Sequence, residues 1–227
     1  MNIIVTGCSK GIGFELVKLL SRENKVFAVS RDTSAIIAYK NKSKFSDNIT
    51  PLSFDVVKVK QSQFDNLINE NKIDVLINNA GCLINKPFVQ LSKADYNSIM
   101  DTNFYGVVNM VQLSLNKLSN ACGQVVNIGS IGGIQGSVKF PGLSIYSSSK
   151  GALSILTECL ALELSDYNIK VNCLALGAVQ TQMLHQAFPG FKADVNPDQM
   201  ADYIYNFIKH SSKISNGLNI PVKKTNP

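Results

Sequence analysis

Short runs of apolar, β-favouring residues alternate along the 227-residue chain with longer stretches whose apolar positions recur three and four apart. The runs predict strands at residues 2–6, 25–30, 51–55, 73–78, 123–129, 169–175 and 217–222. The periodic stretches predict helices near 11–22, 60–71, 94–119, 147–165 and 197–209. Strand followed by helix, repeated throughout, implies parallel strands joined by helical crossovers. Because such crossovers are right-handed, the economical arrangement is a doubly wound sheet with helices on both faces. The expected fold is therefore α/β, a Rossmann-type sheet of about seven parallel strands in a single domain over residues 1–227.

Composition narrows the class without naming an activity. Hydrophobic residues make up 45% of the chain and charged residues 17%, enough for a substantial core. The formal charge of +6 suits an anionic ligand as well as a nucleic acid. The basic stretches are Lys40, Lys42 and Lys44, with Lys223-Lys224 further on, and aromatic residues do not interleave them as single-strand binders require. They read as solvated surface, with a docking patch for an acidic partner as the alternative, and no nucleic-acid partner is expected. No apolar run approaches the roughly 18 residues that span a bilayer, so no membrane partner is expected either. Five dispersed cysteines without a Cys-x-x-Cys pair suggest reduced thiols in a cytoplasm. The two histidines, His185 and His210, have no neighbours at ligand spacing, so no metal is expected.

The candidate chemistry sits where predicted strands end, which is where a doubly wound sheet opens its crevice. Thr6-Gly7-Cys8-Ser9-Lys10-Gly11-Ile12-Gly13 joins the first strand to the first helix. Glycines let the backbone approach a pyrophosphate, and the free N–H groups at a helix start attract its charge. Alone, that loop reads equally as a phosphate cradle or an ordinary turn. The second strand ends at Ser30-Arg31, where an acidic residue would hold the ribose hydroxyls of NAD. Arg31 instead can fork onto a 2′-phosphate, with Lys10 as a second cation, which points to NADP. Asp32 next door is in a position to neutralise Arg31 in part.

Further along the chain come Asn78-Asn79-Ala80-Gly81, Asn103 in Asp101-Thr102-Asn103-Phe104-Tyr105-Gly106, Ser130, and Tyr146-Ser147-Ser148-Ser149-Lys150. With the glycine loop, this ordered set resembles the short-chain dehydrogenase/reductase family over nearly the whole chain. The resemblance implies a bound NAD or NADP and hydride transfer to or from a carbonyl or alcohol. It assigns Asn103, Ser130, Tyr146 and Lys150 to catalysis. Gly7, Ser9, Lys10, Gly11, Ile12 and Gly13 would surround the pyrophosphate, Asp55 and Val56 the adenine, and Asn79, Ala80 and Gly81 the adenosine side. Gly177, Val179 and Thr181 would meet the nicotinamide, with Tyr146 and Lys150 also touching the cofactor. Relatives commonly pair through the helix after Tyr146, and its surplus apolar residues suggest a homodimer or homotetramer.

Tyr146 and Lys150 are four apart, so both lie on one helix face. An ammonium about 5 Å from a phenol is worth about 3 kcal/mol, or roughly two pKa units. The sequence thus predicts a tyrosine brought down towards neutrality, acting as general acid while Ser130 holds the substrate oxygen and Asn103 relays protons through water. Three departures from the family pattern concern the substrate end. Leu176-Gly177 stands where Pro-Gly is usual, Ser130 and Tyr146 are 16 positions apart, and the covering stretch from Leu184 to Asn196 is short. Phe140, Leu143, Met183, Leu184, Phe188 and Phe191 are candidates for an apolar substrate wall. A non-catalytic NADP-binding sensor or scaffold of the same fold is the alternative function.

Overall fold

Ile3 and Val5 of the first apolar run enter one hydrophobic cluster and Ile4 enters another, so the alternation of a strand feeds two layers at once. The computed structural model describes residues 1–211 and 214–224. Its strands are β1 (Asn2–Thr6), β2 (Lys25–Ser30), β3 (Ile49–Ser53), β4 (Val75–Asn78), β5 (Gln124–Ser130), β6 (Lys170–Leu176) and β7 (Asn219–Val222). They form one sheet in the order β3-β2-β1-β4-β5-β6-β7, parallel at every pairing. The order runs outwards from β1 to β3, then returns to β4 beside β1 and runs outwards the other way. A crevice opens at such a reversal, between the carboxyl ends of β1 and β4.

The helices are α1 (Gly11–Leu20), α2 (Ser34–Lys40), α3 (Gln61–Leu67), α4 (Lys93–Met100), α5 (Gly106–Ser119), α6 (Ser144–Glu163), α7 (Gln182–Ala187) and α8 (Pro197–Asn206). Leu16 and Leu20 of α1 meet Met200 and Ile204 of α8 on one face of the sheet. Phe64 of α3, Met110 of α5 and Leu153 of α6 cover the other. Burying a side chain of this size contributes about 1.5–3 kcal/mol. α6 also leaves Ile155 and Leu162 outside, 60% and 79% exposed, as the surplus of apolar residues on this helix predicts.

The departures from the expected elements have local causes. β3 starts at Ile49, two residues earlier than expected, with Pro51 inside it. Proline lacks an N–H and is tolerated because β3 is an edge strand, paired with β2 alone. The helix expected over 94–119 is divided by a π-turn at Asp101–Tyr105. α2 and α7 were not expected, since seven and six residues give too few apolar repeats to register as a period. Among the described residues no helix is long and apolar enough to cross a membrane. Nor does any cluster of His, Cys, Asp or Glu among them suit a metal ion.

Candidate active site

One cavity of about 650 Å3 lies along the carboxyl ends of the strands. At its nucleotide end, Gly7 and Gly11 have φ of +74° and +60°, values that β-carbon-bearing residues rarely adopt. The N-cap position of α1 is Lys10, which makes no side-chain capping bond, so the first N–H groups of the helix face the cavity uncapped. Thr6 and Asn79 hold the loop in shape. Thr6 Oγ1 accepts from the backbone N–H groups of Asn79 and Ala80 at 3.1 and 3.0 Å. Asn79 Nδ2 donates back to the Thr6 and Gly7 carbonyls at 2.9 and 3.1 Å. Gly13 differs from the other two glycines because it does not line the cavity. A β-carbon there would stand 2.3 Å from the Gly7 carbonyl oxygen. Its lack of a side chain lets α1 pack against the loop.

Arg31 follows β2 on the cavity wall, and among the described residues it forms no ion pair. Asp32 does not neutralise it. The Asp32 carboxylate accepts instead from the Ser34 N–H at 2.9 Å, a bond that holds its pKa below the ordinary carboxylate value. Asp55 and Val56 line the same groove, and Asp55 Oδ1 accepts from Val57 N–H at 2.9 Å.

At the other end, the register Ser130↔Leu176 brings Ser130 beside the loop that starts at Gly177. Ser130, Tyr146, Lys150, Gly177, Val179 and Thr181 all line the cavity. Thr181 caps α7 by accepting from Leu184 N–H at 3.2 Å, and its methyl stands 3.4 Å from where a Gly11 β-carbon would be. α7 therefore starts directly over the glycine loop.

The electrostatics differ from the expectation. Burial lifts the Tyr146 phenol above its ordinary pKa, with the neighbouring Ser130 hydroxyl pulling it part of the way down. Lys150 is buried, and burial pulls its pKa down to about 8, with the Cys173 thiol acting in the opposite sense. Its Nζ donates to the Ile128 carbonyl at 2.7 Å. Desolvation of both groups thus outweighs the stabilisation of a phenolate that spacing alone suggests.

Asn103 is fully buried within the π-turn and does not line the cavity. Its Oδ1 accepts from Cys82 N–H at 2.7 Å, and its Nδ2 donates to the Cys82 carbonyl and Ser149 Oγ at 2.9 and 3.0 Å. Ser149 Oγ in turn donates to the Tyr146 carbonyl at 2.7 Å. The Asn103 side chain is a brace between the loop after β4 and the first turn of α6. A second brace has no sequence signal of its own. Asn78 Nδ2 donates to Asn127 Oδ1 at 2.9 Å, and Asn127 Nδ2 donates to Thr157 Oγ1 at 3.0 Å, tying β4, β5 and α6 together in the core.

All six residues expected in an apolar substrate wall line the cavity. Lys223 and Lys224, read from the sequence as solvated surface, line it as well, as does Lys192.

The sequence profile of the short chain dehydrogenase family matches residues 1–191. The chain belongs to the short-chain dehydrogenase family. This is a family of oxidoreductases that use NAD or NADP. A 3-oxoacyl-(acyl-carrier-protein) reductase of Chlamydia muridarum is 30% identical to this short-chain dehydrogenase over 187 residues, 79% of this chain and 74% of that protein. A 3-ketodihydrosphingosine reductase of Bacteroides thetaiotaomicron is 36% identical over 179 residues, 76% of this chain and 61% of that protein. The solved structure of ElxO with NADP bound superposes with a TM-score of 0.83 at 26% identity, covering 97% of this chain and 96% of that one.

Proposed function

We propose that this short-chain dehydrogenase is an NADP-dependent carbonyl reductase acting on a ketone, aldehyde or acyl thioester, with Tyr146 as the general acid and the whole chain as one nucleotide-binding unit. The observation that carries the reading is a single cavity with Arg31 and Lys10 at one end and Ser130, Tyr146 and Lys150 at the other. The nucleotide end fits a dinucleotide phosphate ester. Side-chain-free Gly7 and Gly11, the uncapped start of α1 and an unpaired guanidinium are together an anion site of the right chemistry. Lys10 and Arg31 would hold the 2′-phosphate, Asp55 and Val56 the adenine, and Gly177, Val179 and Thr181 the nicotinamide. ElxO, a relative of the same fold, binds NADP.

NADPH, when bound, supplies a hydride to the carbonyl carbon. Charge then develops on the substrate oxygen, where Ser130 donates a hydrogen bond and Tyr146 transfers its proton. At neutral pH the Tyr146 phenol is protonated, the form a general acid needs. Lys150, which remains largely protonated at neutral pH, supplies the positive charge that receives the phenolate. Asn103 and Ser149 hold the first turn of α6 so that the phenol stays aimed. The exposed Ile155 and Leu162 on α6 support a homo-oligomer.

The test is NADPH oxidation against a panel of carbonyl compounds, followed by single-turnover kinetics with Tyr146→Phe. The variant is expected to keep its fold and NADPH affinity and to lose at least about 10²–10⁴-fold in rate. Wild-type rates in Tyr146→Phe would remove Tyr146 from the mechanism. NADPH binding with no turnover of any carbonyl would favour a non-catalytic sensor.

A further inference from the structure

The long connection between Ser130 and Tyr146 is internally tied. Lys139 Nζ donates to the Ile134 and Ser137 carbonyls at 2.7 and 3.0 Å and to Ser137 Oγ at 2.6 Å. Ser137 Oγ shares its one proton between the Ile131 and Ile134 carbonyls, at 2.6 and 2.9 Å. Folded back in this way, the loop carries Phe140 to the cavity wall. There the Phe140 ring meets Phe188, the residue just past α7, edge to face with centroids 6.0 Å apart.

Asn85, from the loop after β4, joins the same junction. Its Nδ2 donates to the Ala187 carbonyl at the end of α7 at 2.7 Å, satisfying one of the carbonyls a helix end leaves open. Its Oδ1 lies against Gly142, at 1.9 Å from where a β-carbon would stand. Gly142 has φ of +86°, so glycine is required there on both counts. Lys86 N–H donates to the Gly142 carbonyl at 3.1 Å, and Lys86 Nζ pairs with Asp95 of the α4 capping box at 2.8 Å. Three segments far apart in sequence thus meet over the substrate end. The enlarged loop reaches the short covering segment at Phe188.

We propose that the enlarged loop and α7 form the two walls of a hydrocarbon-binding arm beside Tyr146, roofed by the Phe140–Phe188 pair and pinned by Asn85, so that the substrate is a carbonyl compound bearing an apolar chain. Placing the carbonyl at the mouth of the arm rests on the reading of Ser130 and Tyr146 as the pair that binds it. Leu143, Met183 and Leu184 supply the apolar floor. Met183 reaches over Gly81, its Cε 3.9 Å from where a β-carbon would be, while the Lys223 β-carbon stands 3.1 Å from where one on Gly177 would be. The side chains that line the arm are therefore apolar.

The experiment titrates straight-chain methyl ketones, from butanone to decan-2-one, calorimetrically into the protein saturated with NADP⁺, in which no reduction takes place. Affinity should rise about fourfold for each added methylene, the fold-change equivalent of about 0.8 kcal/mol per buried CH₂, until the arm is full. Phe188→Ala should weaken the long ketones by roughly tenfold and butanone little, as losing an aromatic pair and its buried area implies. Phe140→Ala, a change at a surface-exposed ring, should do the same and guards against a folding defect in the first variant. Asn85→Asp keeps the shape but removes the donor. Its bond is solvent-exposed, so a loss of only roughly twofold to fivefold, confined to long ketones, is expected. Affinity independent of chain length would overturn the proposal. So would an equal loss for butanone and decan-2-one in the Phe variants, tighter binding of an ω-carboxylated chain than of the neutral one, or no binding of any ketone. Ketones that bind in this graded way but are not reduced by NADPH would count against the catalytic reading and leave the arm standing.

Discussion

Lys150 is a charged group that the fold buries at a cost, and that cost can be measured. The side chain is 5% exposed, and its ammonium donates to the Ile128 carbonyl. Burial brings its pKa down to about 8, whereas an unfolded chain holds the same proton until about pH 10.4. Between these values the unfolded chain binds a proton that the folded chain has released, so stability rises with pH across that window. Below pH 8 both states are protonated and the folded state bears the full penalty, about 3 kcal/mol from the difference in pKa. Lys150→Met keeps much of the volume without the charge. It removes that penalty but leaves the Ile128 carbonyl short of a partner, at about 1 kcal/mol. The variant should therefore be more stable than wild type at pH 7 by about 2 kcal/mol, or roughly 4–8 °C in Tm for a chain of this length, while losing activity. Such a trade is expected where a functional group is held in a strained environment.

The pH dependence separates this cause from generic repacking. As wild-type Lys150 neutralises, the advantage of the variant should shrink by about 2 kcal/mol between pH 7 and about pH 9.5. Buried thiols run in the opposite sense, since a group whose folded pKa is raised loses stability as pH climbs past its unfolded value. Cys8, pushed far up by burial, is common to both proteins and cancels in the difference. Cys173, pushed up to about 11, is held down in part by the Lys150 ammonium. At about pH 9.5 the folded-state thiol is still protonated with or without that charge, so Cys173 cancels as well. Urea unfolding of the nucleotide-free proteins at the two pH values gives both numbers. A Lys150→Met variant no more stable than wild type at pH 7, or an advantage unchanged at high pH, would refute the argument.

Two other predictions are independent of Lys150. Arg31→Ala should weaken NADPH binding by about 1.5–3 kcal/mol, with the lower end favoured because the side chain is exposed, and should leave NADH nearly unaffected; equal losses for the two cofactors in parallel titrations would cancel the 2′-phosphate assignment. Light scattering at micromolar concentration should give a dimer or tetramer for the wild type and a smaller mass for Leu162→Glu, because that residue is 79% exposed on α6; a monomeric wild type would end the oligomer proposal.

Some of this protein is written locally in its sequence. Seven apolar runs separated by helical periods are enough to specify a parallel, two-faced sheet, because alternation and crossover handedness are properties of neighbouring residues. Tyr146 and Lys150 share a wall because four residues are about one helical turn. The glycine loop and Arg31 fall at strand ends for the same local reason. Other features exist only once distant segments have met. Gly13 matters for the Gly7 carbonyl above it, and the Asn103 amide for Cys82 and Ser149. Lys223 and Lys224 are exposed cations, as their composition suggests, and only the fold sets them at the rim of the cavity. The proton affinities of Tyr146 and Lys150 follow the desolvation that the assembled core imposes, which spacing along a helix does not encode. Asn85 and Ala187 are 102 positions apart, and a bond between them depends on how the loops of a finished sheet converge. Periodicity records which face of an element is buried, whereas the groups that meet across the crevice are decided by the packing of all the elements together.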